Sequence, residues 1–343
     1  MAALNYIMVY NRQAAPGKYI LKRLTLLTVL FFSASNLRAQ LKVSFVNVGQ
    51  GDAIYIEFPN GKNALIDGGP SGALIDNFLK SKGVTKIDYV ALTHPHSDHY
   101  RGLKKVFTNY QVNNYYDTKA ENVDALGDNN LRDLAASEPG CTTHYPKPGD
   151  ILNWDSKVTV KVFNACFEPV QIHENEETNN CSLVMRLYYN GNGILLTGDA
   201  NSEIESVMLS HFKSGLQSNI LKVGHHGSRT STSDAFLARV RPDYAFISVG
   251  IDNNYGHPHQ EALDRLKNAG AKIYLTTDGT QSVTIPAPKP GQSSSPVAPI
   301  FNGTIRTEEQ KLADITLTWT PDGHMEAGPD SPAMTQLLEY AAP

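Results

Sequence analysis

The first regular hydrophobic pattern in the chain is an alternation of apolar and polar residues at 41–48. A period of two is typical of a strand that buries one face. A turn at 49–52 follows, and residues 53–58 and 63–67 predict two more strands joined by a hairpin turn at 59–61. The main domain is therefore expected to begin with short strands.

Helical and strand patterns alternate through the rest of the chain. The predicted helices lie at 74–82, 102–107, 120–137, 202–211, 232–239 and 260–268. The predicted strands lie at 87–92, 112–116, 158–163, 182–189, 193–197, 219–223, 243–249, 272–276, 281–285 and 314–320. Residues 138–157 predict a loop with short strand pieces, and residues 164–179 a mobile rim loop. The alternation indicates an α/β (α+β) chain with two sheets flanked by helices.

The chain has 343 residues, of which 41% are hydrophobic, enough for a sizeable core. One domain is predicted at 40–328, and its Pro- and Ser-rich residues at 286–312 form a loop insertion. The strand at 314–320 is expected to pair with Val283 at a sheet edge. Residues 329–343 are expected to form a flexible tail.

Four side chains of metal-ligand type follow the apolar strand at 87–92. The chain breaks at Pro95 and presents His94, His96, Asp98 and His99 within six residues. In extended chain His94 and His96 point to the same side, so both can grip one ion. Asp98 and His99 lie beyond the bend and can reach a second ion. Imidazoles with a carboxylate suit zinc and similar divalent metals, and a solvated histidine-rich loop is the alternative.

Three later strand ends carry further candidates. A buried strand ends in Gly198 and Asp199, and another ends in His225 and His226 between glycines. One of these two histidines is expected to bind metal and the other to contact a phosphoryl or leaving-group oxygen, in an order that stays open. His257 lies in a third segment, at 255–259, in which His259 begins the next helix and has helix capping as its structural alternative.

Six segments together resemble a known family. They read FVNVGQGD at 45–52, IDGG at 66–69, THPHSDHYRG at 93–102, LLTGD at 195–199, LKVGHHGS at 221–228 and YGHPH at 255–259. In this order they are similar to the metallo-β-lactamase superfamily, and more narrowly to the hydrolase-like domain of the ComEC/Rec2 competence proteins.

The resemblance implies a four-layer αββα sandwich with two divalent metal ions at one edge of its sheets. Zinc is the expected metal, and manganese is the second option. The implied metal ligands are His94, His96, Asp98, His99, Asp199 and His257, with Asp199 shared by both ions. The implied catalytic residues are Asp98, His226 and His225. Asp67 is expected to support the metal loop, and Asp52 to do likewise.

This chain lacks one metal ligand that the resemblance leads us to expect. The superfamily usually places a histidine before the strand that leads to the shared aspartate, and this chain has Asn179 or Asn180 there. The first ion therefore lacks one expected histidine. Either this ion is held less tightly, or another residue replaces the histidine, or the site is occupied only with substrate; the departure agrees with the ComEC-like branch. Lys222, Arg229 and Arg101 lie near the motifs and are candidates for contact with a phosphate, although each is also typical of a solvated surface cation.

The motifs favour a metal-dependent hydrolase, with a phosphodiesterase or nuclease that uses a metal-bridged hydroxide as the leading hypothesis. Its substrate would be a small phosphodiester or a nucleic acid. The alternatives are hydrolysis of another small ester, such as a phosphorylcholine or lactam bond, and a catalytically silent binding protein. A net charge of −4 weakens the nucleic-acid case. No multi-span channel is predicted in this chain, and the oligomeric state stays open.

The amino terminus and the cysteines concern the compartment. Basic residues, an apolar run and small residues at 18–35 are typical of a secretory signal, predicted at 1–39 with cleavage before Gln40, and a retained anchor is the alternative. Export to the periplasm or the extracellular space follows. Three cysteines allow one disulfide at most, with Cys141–Cys166 as a candidate and three reduced cysteines as the equal alternative.

Overall fold

The computed structural model describes residues 40–122, 127, 129–166, 170–172, 175–288 and 297–302. The predicted signal sequence, the strand predicted at 314–320 and the tail at 329–343 lie outside the described residues.

The strands in chain order are β1 Leu41–Phe45, β2 Ile54–Glu57, β3 Asn63–Ile66, β4 Lys86–Ile87, β5 Tyr89–Ala91, β6 Gln111–Val112, β7 Asn114–Tyr116, β8 Ala120–Asn122, β9 Thr142–His144, β10 Ile151–Leu152, β11 Thr159–Asn164, β12 Val170–Ile172, β13 Val184–Tyr189, β14 Asn192–Leu196, β15 Ile220–Lys222, β16 Tyr244–Ile247, β17 Lys272–Leu275, β18 Gln281–Ile285 and β19 Ile300–Asn302. The α-helices are α1 Gly72–Ser81, α2 Ser97–Asn109, α3 Asn129–Ser137, α4 Asn175–Asn180, α5 Ser202–His211, α6 Asp234–Val240 and α7 Gln260–Asn268. Short 3₁₀ turns occupy Gly224–Gly227 and Thr276–Asp278.

Two large sheets carry the fold. The first has the strand order β19-β18-β1-β2-β3-β5-β7-β9, and the second has the order β10-β11-β13-β14-β15-β16-β17. Each sheet has an antiparallel half and a parallel half, since β3, β5, β7 and β9 run parallel in the first and β14 to β17 run parallel in the second. The carboxyl ends of the parallel strands therefore meet at one edge of each sheet.

The largest core cluster lies between the two sheets and draws on both. Phe45 of β1 stacks on Phe246 of β16 with ring centroids 4.3 Å apart, and Tyr89 stacks on Trp154 at 5.0 Å. Alternate residues of each strand point away from this cluster, as the period of two requires. They pack under helices on the outer faces, which gives each sheet a second buried side.

Helices cover the outer face of each sheet. Ile75 and Leu79 of α1 and Leu103 and Val106 of α2 pack with the outward residues of the first sheet. The second sheet is covered by α5, α6 and α7 through the apolar residues Met208, Phe236, Leu237, Val240 and Leu266. The layers run helix, sheet, sheet, helix, which confirms the predicted αββα sandwich.

Most predicted elements occur near their expected bounds. The helices predicted at 202–211 and 260–268 and the strand at 281–285 have the predicted bounds. The strand pieces predicted within 138–157 are confirmed as β9 and β10.

Three predictions of local structure were wrong. Residues 120–122 form strand β8, which pairs with β12, so the helix predicted at 120–137 is confirmed only for 129–137. Strand β12 and helix α4 lie inside the segment predicted as a rim loop. Val283 pairs with Phe301 of β19, which lies inside the predicted loop insertion. The expected partner of Val283, the strand predicted at 314–320, was therefore wrong. Pairing between strands distant in sequence explains β8, β12 and β19.

One disulfide joins Cys166 to Cys181, with Cα atoms 4.9 Å apart, and Cys141 is free. The candidate pairing of Cys141 with Cys166 was therefore wrong. Cys141 follows α3 and packs against the outer core of the first sheet, whereas Cys166 follows β11 of the second sheet. The bridge lies one residue after α4, which ends at Asn180.

We expect a thiol count to show this pairing. The denatured, unreduced protein should react with one equivalent of a maleimide, at Cys141, and the reduced protein with three. Peptide mapping after alkylation should find Cys166 and Cys181 joined. A Cys141→Ser variant is the control and should show no free thiol before reduction; two free thiols in that variant would contradict the assigned bridge.

Candidate metal centre

The candidate side chains follow strands whose carboxyl ends meet at one place. Asp67 follows β3 and His94 follows β5 in the first sheet. Asp199 follows β14 and His226 follows β15 in the second. Neighbouring parallel strands end side by side, so residues distant in sequence come together there.

The turn that holds Asp98 and His99 depends on a close approach of two glycines. A Cβ at Gly102 in α2 would collide with the carbonyl of Gly68, after β3. The backbone N–H of Gly68 donates to the carbonyl of His99 at 2.8 Å. The first turn of α2 is therefore held against the loop that follows β3, with Asp98 at the helix amino end, where a carboxylate is favoured.

The first group of candidate ligands consists of His94, His96 and Asp199. Nε2 of His94 lies 3.0 Å from Nδ1 of His96 and 3.7 Å from Oδ2 of Asp199. His94 and Asp199 are buried, and His96 is partly exposed. The structure therefore brings together the two histidines that the strand period placed on one side and the predicted shared carboxylate.

The second group consists of Asp98, His99 and His226. Nε2 of His226 lies 3.4 Å from Oδ2 of Asp98, and Nε2 of His99 lies 4.0 Å from the same oxygen. Oδ2 of Asp199 lies 3.3 Å from Nε2 of His99 and 3.2 Å from Nε2 of His226. One oxygen of Asp199 therefore faces both groups.

Supporting hydrogen bonds orient these imidazoles. Asp67 Oδ2 lies 2.8 Å from Nδ1 of His99, and its Oδ1 accepts the backbone N–H of Thr93 at 2.8 Å. Nδ1 of His226 lies 2.8 Å from the carbonyl oxygen of Ser248. Each contact directs Nε2 toward the ligand groups, as partners behind metal ligands do. Asp67 has the predicted supporting position.

His225 and His226 separate because both have left-handed backbone conformations, with φ of 46° and 53°. His226 faces Asp98 and Asp199, whereas Nε2 of His225 lies 3.5 Å from Nδ2 of Asn179. The structure therefore places His226 among the candidate ligands and His225 beside them. Asn179 holds the position next to His225, and Asn180 instead bonds Glu203 at 3.1 Å.

His257 lies outside both ligand groups. Its ring centroid is 5.4 Å from that of His225 and 6.2 Å from that of His226. Metal ligation by His257 stays a prediction, and the distances favour His226 for the last ligand position of the second group.

A buried ion pair behind Asp199 escaped the sequence analysis. Nζ of Lys222 lies 2.6 Å from Oδ2 of Asp52, and Lys222 is fully buried. It therefore cannot meet a substrate phosphate. Arg229 is exposed and lies 3.6 Å from Glu261. The sequence signal for this pair was a lysine at the end of an apolar strand, three residues before His225.

The pKa shifts follow from burial and from the carboxylates. Burial lowers the pKa of His94 well below its usual value. Burial, then His226 and His225, lower the pKa of His257 to about 3. Burial acts against a charge on His226 too, but Asp199 and Asp98 outweigh it and raise its pKa to about 10. The carboxylates therefore favour positive charge at this point, which a divalent cation supplies.

The residues present fit divalent cations. Nε2 of His96, of His99 and of His226 is buried and makes no hydrogen bond of good geometry within the described part of the chain. Buried polar atoms of this kind call for a partner. Imidazole nitrogens with carboxylate oxygens are donors that suit zinc, and carboxylates also suit manganese.

A sequence profile of the metallo-beta-lactamase superfamily matches residues 46–251, more than half of the chain. The chain belongs to the metallo-beta-lactamase superfamily. The matched range contains both ligand groups and ends before His257. The crystal structure of YhfI from Bacillus subtilis, a protein with the metallo-beta-lactamase fold, aligns with this chain with a TM-score of 0.48 and 13% identity. The alignment covers 70% of this chain and 98% of that chain.

This metallo-beta-lactamase superfamily chain is also similar to ComEC-like proteins, as predicted. It is 28% identical to ComE operon protein 3 of Bacillus subtilis over 270 residues, 73% of this chain and 34% of that protein. It is 28% identical to Recombination protein 2 of Haemophilus influenzae over 248 residues, 70% of this chain and 28% of that protein. The chain spans about a third of the length of these relatives. No helix within the described ranges has the length and apolar character that crossing a membrane requires.

We expect Asp67→Asn to weaken metal binding. The amide cannot accept a hydrogen bond through both of its terminal atoms, so either Thr93 or His99 loses its partner. Loss of such a partner typically lowers metal affinity about 10–100-fold. Calorimetric titration with Zn²⁺ measures the effect, and Asp133→Asn on the exposed face of α3 is the matched control. Equal affinities in both variants would contradict the supporting role.

Proposed function

We propose that the protein is a dinuclear metal-dependent hydrolase of phosphodiesters. The observation that carries the proposal is the position of Asp199 Oδ2, within 3.7 Å of His94 and 3.3 Å of His99. One carboxylate thus serves a group of ligands on each side, which is the arrangement needed for two cations a few Å apart. Zinc is the proposed metal, with manganese as the second option.

Two bound divalent cations would supply charge neutralisation for a phosphoryl group and a lowered pKa for a water molecule. The protein supplies the geometry. His94, His96 and Asp199 would hold one cation, and Asp98, His99, His226 and Asp199 the other. The pKa of His94 is low, so its imidazole is neutral and its lone pair is available at neutral pH.

Two further side chains are placed to act on substrate or water. Asp98 keeps 27% of its side chain exposed, unlike the buried Asp199, so we propose that it orients the attacking water besides binding metal. We propose that His225, beside both ligand groups, contacts a phosphoryl or leaving-group oxygen. Its neighbour Asn201, whose Oδ1 lies 3.3 Å from Nδ1 of His225, would hold the ring in place and leave Nε2 for that oxygen.

The relatives support a phosphodiester substrate and, within that class, nucleic acid. They are named as competence and recombination proteins, such as Competence protein ComA of Neisseria gonorrhoeae, 27% identical over 68% of this chain and 30% of that protein. A small phosphodiester is the second candidate, because the chain's net charge of −4 provides no overall attraction to nucleic acid.

The test is hydrolysis of linear DNA and of bis(p-nitrophenyl) phosphate by the purified protein with Zn²⁺ or Mn²⁺. We expect both reactions to require metal, to stop with a chelator and to fall about 100-fold or more in His96→Ala and Asp199→Ala, since each variant removes a ligand. His211→Ala, an exposed histidine on α5, is the matched control and should retain full activity.

The outcomes separate the hypotheses. Cleavage of the small ester alone would move the substrate from nucleic acid to a small phosphodiester. No turnover of either substrate with any metal would contradict the phosphodiesterase and favour hydrolysis of another ester or a silent binding protein.

We also propose export, with the segment at 1–39 as a cleaved signal. The Cys166–Cys181 bridge supports this proposal, because structural disulfides persist mainly in oxidising compartments. Amino-terminal sequencing of protein from the periplasm or medium of an expressing bacterium should begin at Gln40. Protein that stays in the membrane with residues 18–35 intact would contradict cleavage and favour a retained anchor.

A further inference from the structure

A lysine lies buried directly behind the ligand groups. Lys222 ends β15, and its side chain is fully buried. Burying an ammonium group costs several kcal/mol unless charges and hydrogen bonds compensate it. A cation beside a proposed metal centre also repels the ions to be bound. Lys222 therefore needs both a compensating partner and a reason for its position.

The partners of Lys222 account for its charge. Asp52 Oδ2 lies 2.6 Å from Nζ, and the carbonyl oxygen of Gly198 accepts a hydrogen bond from Nζ at 3.0 Å. Because Asp52 neutralises the lysine, the carboxylates of Asp98 and Asp199 remain available to cations. The backbone N–H of Asp52 also donates to the carbonyl of Asp98 at 3.3 Å, which ties the pair to the metal loop.

The third neighbour of Lys222 is Asp199, whose two carboxylate oxygens have different neighbours. Oδ1 lies 3.7 Å from Nζ of Lys222. The closest imidazole approaches, from His94, His99 and His226, are all to Oδ2. The backbone N–H of Asp199 is held by Ser182 Oγ at 2.9 Å. Backbone and side chain are thus both held, and a single oxygen points at the two ligand groups.

We propose that Lys222 and Asp52 form a positioning pair that orients Asp199, so that Oδ2 is presented to both ligand groups while Oδ1 faces the lysine. The inference rests on the proposed two-ion function and adds the residues that make one carboxylate serve two ions. Neither member of the pair touches substrate.

The test compares metal binding in the whole protein and in a variant that removes both charges. Lys222→Met alone would leave Asp52 as a buried, unpaired carboxylate and risks misfolding. The double variant Lys222→Met/Asp52→Asn replaces the pair with neutral side chains of similar size. Lys86→Met, with 57% of its side chain exposed and a partner in Asp88, is the matched control.

The measurements are calorimetric titration with Mn²⁺ and the electron paramagnetic resonance spectrum of the loaded protein. We expect two equivalents and an exchange-coupled Mn²⁺ pair in the wild type and in Lys86→Met. In the double variant the weaker ion should bind about 10-fold or more weakly, as for other lost partners of metal ligands, and the coupled signal should give way to isolated Mn²⁺. A purely structural pair would lower the melting temperature and leave both readouts unchanged.

A folded double variant with two equivalents and an unchanged coupled spectrum would overturn the positioning pair, while hydrolysis by the wild type could still uphold the proposed function. Binding of fewer than two equivalents by the wild type would overturn both the pair and the two-ion function.

Discussion

The structure depends on holding several carboxylates and imidazoles together in a volume from which water is largely excluded. Asp199 is buried, and three imidazole nitrogens lie within 3.7 Å of its Oδ2. Taking a carboxylate out of water is expensive unless positive charge or hydrogen bonds replace the lost hydration. The residues around Asp199 supply some of both, and the arrangement leaves buried ring nitrogens directed inward. The charge balance thus explains both the stability of this cluster and its suitability for divalent cations.

The architecture makes this concentration possible. Parallel strands of both sheets end at one edge, and the loops after β3, β5, β14 and β15 deliver their side chains there. A large apolar core packs between the sheets, and in it Phe45 of the first sheet stacks on Phe246 of the second. A close-packed core is rigid, so residues on opposite sheets keep their spacing. This rigidity is what positions Asp98 of one half against His226 of the other.

The sequence resemblance led us to expect one further histidine near the first ligand group. Asn179 stands beside His225 where a histidine was expected, and its buried Oδ1 has no hydrogen-bond partner among the described residues. The adjacent Cys166–Cys181 bridge anchors the segment that carries it. The two ligand groups therefore differ, because one has two histidines and the shared aspartate, and the other adds a carboxylate of its own to two histidines.

The sequence by itself determined the kind of chemistry and much of the fold. Period-two strands, helical segments bounded by turns and the spacing of His94, His96, Asp98 and His99 are local properties of the sequence. The choice of His226 over His225 beside Asp98, the distance of His257 from the ligand groups, the burial of Lys222 against Asp52 and the Cys166–Cys181 pairing were decided only by the tertiary structure. Each of these depends on which strand ends become neighbours, on left-handed turns after a strand and on burial, and those are set by packing between segments far apart in the chain.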